Sequence, residues 1–84
     1  MVDKKVIWIT GASSGIGKAL AIKFAENNWI VAASARRENL LNELKHTTEN
    51  IHSFPLDVTD IDKCKLVAKN IIEQFSNIDI CVFG

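Results

Sequence analysis

Between Val6 and Lys18 the chain reads VIWITGASSGIGK, an apolar run closed by a threonine and followed by three glycines within seven residues. An unbroken Val-Ile-Trp-Ile run suits a strand buried on both faces, as in a parallel sheet. A glycine-rich turn from such a strand into a helix points backbone N–H groups, and about half a unit of positive charge, at one spot. That spot suits a phosphate. Gly11 can adopt a dihedral closed to other residues, Gly15 lets a ligand approach the backbone, and Gly17 lets the helix lie close to the strands.

The remaining sequence repeats the alternation that this unit begins. Lys5 to Thr10 reads as the first strand, and Gly15 to Asn28 as a helix whose Ile16, Ala19, Leu20 and Phe24 share a face. Trp29 to Ser34 is a second apolar run, and Glu38 to Lys45 carries Leu40, Leu41 and Leu44 at helical spacing. Ile51 to Leu56 makes a third, weaker strand. Asp57 to Asp60 offer caps for a helix reaching about Phe75, with Ile61, Cys64, Ala68, Ile71 and Phe75 on its buried stripe, and Ile78 to Phe83 is a fourth strand. The order βαβαβαβ, with short connections between parallel strands, predicts right-handed crossovers and a doubly wound sheet. No linker, repeat or low-complexity tract divides the 84 residues, so one domain is expected.

Charge excludes several partner classes. Ten basic residues balance ten acidic ones, and no basic block is longer than Lys4-Lys5 or Arg36-Arg37, which argues against nucleic acid and anionic membrane surfaces. The apolar segment behind the charged start MVDKK is too short for a signal-peptide core or a membrane span, so a cytoplasmic protein is expected. Cys64 and Cys81 lack a ligand pattern and read as reduced, buried thiols, with no metal site. His46 and His52 read as surface or loop residues, and Trp8 and Trp29 as packing residues.

Three phosphate-binding templates compete for the loop. A Walker loop needs glycine five residues before Gly17 and Ser or Thr after Lys18, where this chain has Ala12 and Ala19; a G-x-G-x-x-G from Gly15 needs a small residue at Leu20. Neither fits. The pattern that remains is T-G-x-x-x-G-x-G, Thr10 to Gly17, between a strand and a helix. Here the chain resembles the short-chain dehydrogenase/reductase family, whose nucleotide loop looks like TGASSGIG. Leu56-Asp57-Val58 after the third strand, the helix spacing and the fourth strand fit as well, so the resemblance covers essentially the whole chain. It implies a Rossmann-like fold, here incomplete, with residues 1–84 as the N-terminal part of an NAD(P)-binding domain. It also implies that the loop from Thr10 to Gly17 cradles the phosphates, with Ser13, Ser14 and the backbone at Ile16 facing them, and that Asp57 and Val58 flank adenine. The competing reading of Asp57 is a helix cap.

Cofactor choice follows from charge. Sites that prefer the unphosphorylated ribose place a carboxylate about 20 residues beyond the loop, at the end of the second strand. That position holds Ala35, and Arg36 and Arg37 follow, able to clamp a 2′-phosphate through charge-assisted bonds. NADP(H) is therefore expected ahead of NAD(H), with Ser34 adding a hydroxyl contact.

Catalysis is not expected from these residues alone. Members of the resembled family use Ser, Tyr and Lys beyond the fourth strand, the last two in a Y-x-x-x-K spacing, with the phenol as acid or base. This chain has no tyrosine, and Phe83-Gly84 stands where the family carries Asn-Asn-Ala-Gly. The expectation is a cofactor-binding portion of an oxidoreductase that moves hydride between nicotinamide and a carbonyl or alcohol. The alternative is a noncatalytic nucleotide-binding module or the remnant of a truncated gene. A bare fourth-strand edge would also favour a homodimer.

Overall fold

Four strands and three helices alternate along the chain: β1 (Val6–Thr10), α1 (Gly15–Glu26), β2 (Ile30–Ser34), α2 (Glu38–Lys45), β3 (Ile51–Ser53), α3 (Ile61–Phe75) and β4 (Ile80–Val82). The structure, a computed structural model, describes residues 4–83; Met1 to Asp3, part of the charged start, and Gly84 lie outside the described residues. The strands form one parallel sheet in the order β3-β2-β1-β4, with Val6 opposite Ile30, Val31 opposite Ile51 and Ile7 opposite Ile80. This is the doubly wound α/β arrangement expected from the alternation.

Side chains that alternate along each strand feed two separate cores. Ile7, Ile9, Val31, Ala33 and Ile51 pack with Ala21 and Ala25 of α1 and Leu41 and Leu44 of α2. Val6, Trp8 and Ala32 point the other way, onto Val67 and Ile71 of α3. The chain places β2 and β3 on one side of β1 and β4 on the other, so the last crossover covers the opposite face from the first two. Side-chain bonds add to this packing: the Trp8 indole in β1 donates to Ser34 Oγ in β2 at 2.9 Å, and the Asn50 amide donates to the Ala25 carbonyl of α1 at 3.0 Å. β4 is pinned at its start, where the Val6 N–H donates to Asp79 Oδ2 at 2.7 Å and the Asp79 N–H donates to the Val6 carbonyl at 2.8 Å.

Several expected boundaries shift. β1 begins at Val6 rather than Lys5. The first helix ends at Glu26, because Asn28 turns left-handed at φ 66°, a conformation asparagine tolerates. Trp29 belongs to that exit rather than to β2: its N–H donates to the Phe24 carbonyl, and its ring meets Phe24 edge-on at 4.9 Å. β3 stops at Ser53, although the Phe54 and Leu56 amides still donate to Ala33 and Ala35; Pro55 between them sits where its missing N–H would face the open edge. β4 spans only Ile80–Val82.

Burial also differs from the expected helix faces. In α1 the contact row is Gly17, Ala21 and Ala25, with Leu20 and Phe24 flanking it, while Ile16 is 82% exposed and Ala19 is exposed. A Cβ on Gly17 would overlap the Gly11 carbonyl oxygen, so the helix lies against the loop backbone itself. The residues that touch the sheet are therefore small, and the larger apolar ones stand aside. In α3, Val67 joins Ile71 in the core, Cys64, Ala68 and Phe75 pack partly, and Ile61, a turn ahead of that row, is exposed. Both cysteines are free, but only Cys64 is half-buried; Cys81 is exposed because it sits on the edge strand. His52 is not a loop residue: it lies in β3, half-buried, with its ring 4.8 Å from Phe75. No described helix is long and apolar enough to cross a membrane.

Candidate active site

The carboxyl ends of β1 and β2, with the loop after β3, converge on a cleft of about 560 Å³. That size suits a small-molecule site. In an open parallel sheet ligands sit outside the carboxyl ends of the strands. Here the cleft lies over β1, β2 and the loop after β3, next to the reversal of strand order between β1 and β4. One wall comes from the β1–α1 turn, through Gly11, Ser13 and Ser14. A second comes from the β2–α2 connection, through Ala35, Arg36 and Arg37, with Leu40 behind it. Leu56, Asp57, Val58 and Thr59 close the third side.

The glycine turn is held at both ends. The Ala12 N–H donates to the Ser34 carbonyl at 3.1 Å, and Gly11 and Gly15 take φ values of 69° and 57° that let the chain reverse into α1. Ser14 is the N-cap of α1, yet its side chain makes no capping bond, and the first turn contains no acidic residue. The positive end of this helix is therefore left without a carboxylate of its own. α3 is the opposite case. Asp60 accepts from the Lys63 N–H at 3.1 Å, and Asp62 sits in the first turn.

This also corrects the capping reading of Asp57. Asp60 caps α3, while Asp57 Oδ1 accepts from the Thr59 hydroxyl at 2.7 Å and from the Thr59 N–H at 3.0 Å. Those two bonds, the hydroxyl first, hold the Asp57 carboxyl below its usual range, and the nearby Arg36 charge acts in the same direction. Arg36 and Asp57 also border an adjoining hollow of about 350 Å³, together with Pro55, Leu56, Asp60 and Lys63.

Of the residues singled out from sequence, the cleft brings together Gly11, Ser13, Ser14, Arg36, Arg37, Asp57 and Val58. Thr10, Gly15, Ile16 and Gly17 do not line it. Thr10 is buried beneath the turn, where its hydroxyl donates to the Val82 carbonyl at 3.3 Å, and Gly17 faces Gly11. Ser34, expected as a hydroxyl contact, does not line the cleft: it is fully buried, and its Oγ accepts from Trp8 on the α3 side of the sheet. Leu40 and Thr59 were missed. Leu40 reads as core at helical spacing, whereas Thr59 carried a usable signal, since a hydroxyl two residues after an aspartate is an Asx-turn pattern. Among the described residues no three His, Cys, Asp or Glu side chains gather as a metal site.

Comparison with known proteins gives a consistent set of likenesses. The short chain dehydrogenase family profile matches residues 5–84. The dehydrogenase/reductase SDR family protein 7-like of Dictyostelium discoideum is 41% identical over 89 aligned residues, covering 95% of this chain and 28% of that protein. A solved short chain dehydrogenase from Bacillus anthracis superposes with a TM-score of 0.91 at 32% identity, over 98% of this chain and 34% of its own. A metagenomic short-chain oxidoreductase in complex with NADP superposes with a TM-score of 0.86 at 25% identity, over 92% of this chain and 37% of its own. The chain spans 25% to 35% of the length of the curated relatives at the head of this group.

Proposed function

Because the chain belongs to the short-chain dehydrogenase family, we propose that its cleft holds a nicotinamide dinucleotide, NADP(H) in preference to NAD(H), as the cofactor-binding part of an oxidoreductase. The observation that carries this reading is the wall after β2. Ala35, Arg36 and Arg37 line the same cleft as the glycine turn, so a 2′-phosphate there meets two guanidinium groups and no carboxylate in Ala35's place. The NADP complex of the metagenomic relative supports the same preference.

The residues present fit such a ligand. The closeness of Gly17 to Gly11 and the lack of an acid in the first turn of α1 leave the helix end open to a pyrophosphate. In this reading Ser13, Ser14 and the Ile16 backbone meet the phosphates, Gly11, Gly15 and Gly17 shape the turn, and Thr10 and Ser34 act through the backbone they support. Arg36 and Arg37 take the 2′-phosphate, and Asp57 and Val58 take the adenine. When bound, the nicotinamide supplies or accepts the hydride exchanged with a carbonyl or alcohol carbon. This chain has no tyrosine, so the proposal assigns the accompanying proton transfer to a part of the enzyme beyond these 84 residues. Cysteines left as free thiols support a reducing, cytoplasmic setting for it.

Calorimetric titration with both cofactors tests the reading. NADP(H) is expected to bind more tightly than NAD(H), and Arg36→Ala to lose about 2 kcal/mol of NADP(H) affinity, roughly thirtyfold, while leaving NAD(H) nearly unchanged. Tighter binding of NAD(H) by the wild-type chain would overturn the preference.

A further inference from the structure

Asp57 sits on a backbone fixed from both sides. The Leu56 N–H donates to the Ala35 carbonyl at 3.0 Å, and the Asp60 N–H donates to the Asp57 carbonyl at 3.0 Å, just ahead of the α3 cap. Its side chain is exposed, and an exposed aspartate is free to turn between rotamers unless something holds it. Thr59 supplies that hold. Both of its donors converge on Oδ1, and no other side chain among the described residues donates to this carboxylate. Thr59 itself lines the cleft beside Asp57.

We propose that Thr59 is a positioning residue whose hydroxyl locks the Asp57 carboxylate, keeping Oδ2 available to a hydrogen-bond donor on the bound ligand, namely the amino group of an adenine ring. This rests on the dinucleotide reading of the cleft. An ionised carboxylate only accepts, and a neighbouring hydroxyl that donates to it favours that form, so the locked group remains an acceptor at neutral pH. One oxygen is thus spent on the turn, and the other carries no bond to a described side chain in a residue that lines the cleft.

The test compares Thr59→Val, which keeps the shape and the backbone donor but loses the hydroxyl, with Thr59→Ser, which keeps the hydroxyl. Cofactor affinity is read by calorimetry and Asp57 titration by carboxyl carbon NMR, all in the full chain. Thr59→Val is expected to raise the Asp57 pKa and to weaken NADP(H) and NAD(H) binding by the same factor, about threefold to tenfold, because both cofactors carry the adenine. Thr59→Ser is expected to restore both readouts. Unchanged affinity in Thr59→Val, against a wild-type chain that binds, would overturn the positioning role alone. A loss confined to NADP(H) would overturn it too, since that would trace to the arginines. A wild-type chain that takes up neither cofactor would overturn the functional reading, and this inference with it.

Discussion

His52 is biased toward its neutral form by where it stands. Partial burial in β3, against Phe75, pushes its pKa down, and the charges of Lys45 and Lys4 push the same way. The folded pKa therefore lies below the unfolded value near 6.5, so the unfolded chain binds the proton more readily. The resulting stability is fully present above about pH 6.5 and is lost as pH falls through the lower, folded value. Thermal melts from pH 7.5 to 5 are expected to show a steeper fall in Tm for the wild-type chain than for His52→Phe, which keeps the aromatic contact without the titration; equal slopes would refute the assignment. The sequence showed this histidine without an obvious partner. Phe75 becomes its neighbour only when α3 crosses the sheet, a contact that no local pattern encodes. The arginines at 36 and 37 were legible for the opposite reason, because their position relative to the strand end is set by chain distance alone.

At the scale of the element, α1 shows how a helix face can be misread. Its apolar residues are spread round the axis, and helical spacing selects Ile16, Ala19, Leu20 and Phe24 as one face. The sheet selects the smallest instead, along Gly17, Ala21 and Ala25, because the turn backbone occupies the space a side chain would need. Gly17→Ala should consequently cost about 1 to 3 kcal/mol in urea unfolding, since the atoms it meets are backbone and cannot rotate away. Gly15→Ala meets no atom within 4 Å but must adopt φ 57°, so its cost is expected to be smaller, about 1 kcal/mol. A reversed order of the two would show that the close approach is not what holds the helix in place. The glycine spacing was thus readable as an instruction about proximity, while the face it selects needed the neighbouring loop.

For the molecule as a whole, the number and order of elements were legible from the alternation of apolar runs and helical periods. The reversal of strand order was legible too, since a doubly wound sheet requires β4 to join β1 on the side away from β2; the exact register between the strands was not, because no local pattern encodes it. The reversal leaves β4 at an edge, with Ile80, Cys81 and Phe83 exposed and no strand pairing its outer side among the described residues. Unpaired apolar edges template association, and we propose only that two copies of these 84 residues, taken alone, pair there. Sedimentation velocity over a concentration series is expected to show self-association that Ile80→Lys abolishes. A monomer at every concentration would refute the proposal. The same topology has a consequence in time. β1 takes its final neighbour from a strand whose anchoring aspartate, Asp79, lies 73 residues after Val6. At about 5 to 20 residues per second of synthesis, the central strand waits roughly 4 to 15 s on the ribosome with one flank open. Of the four described strands, β1 is thus the earliest made and the last of the two interior ones to gain its second neighbour.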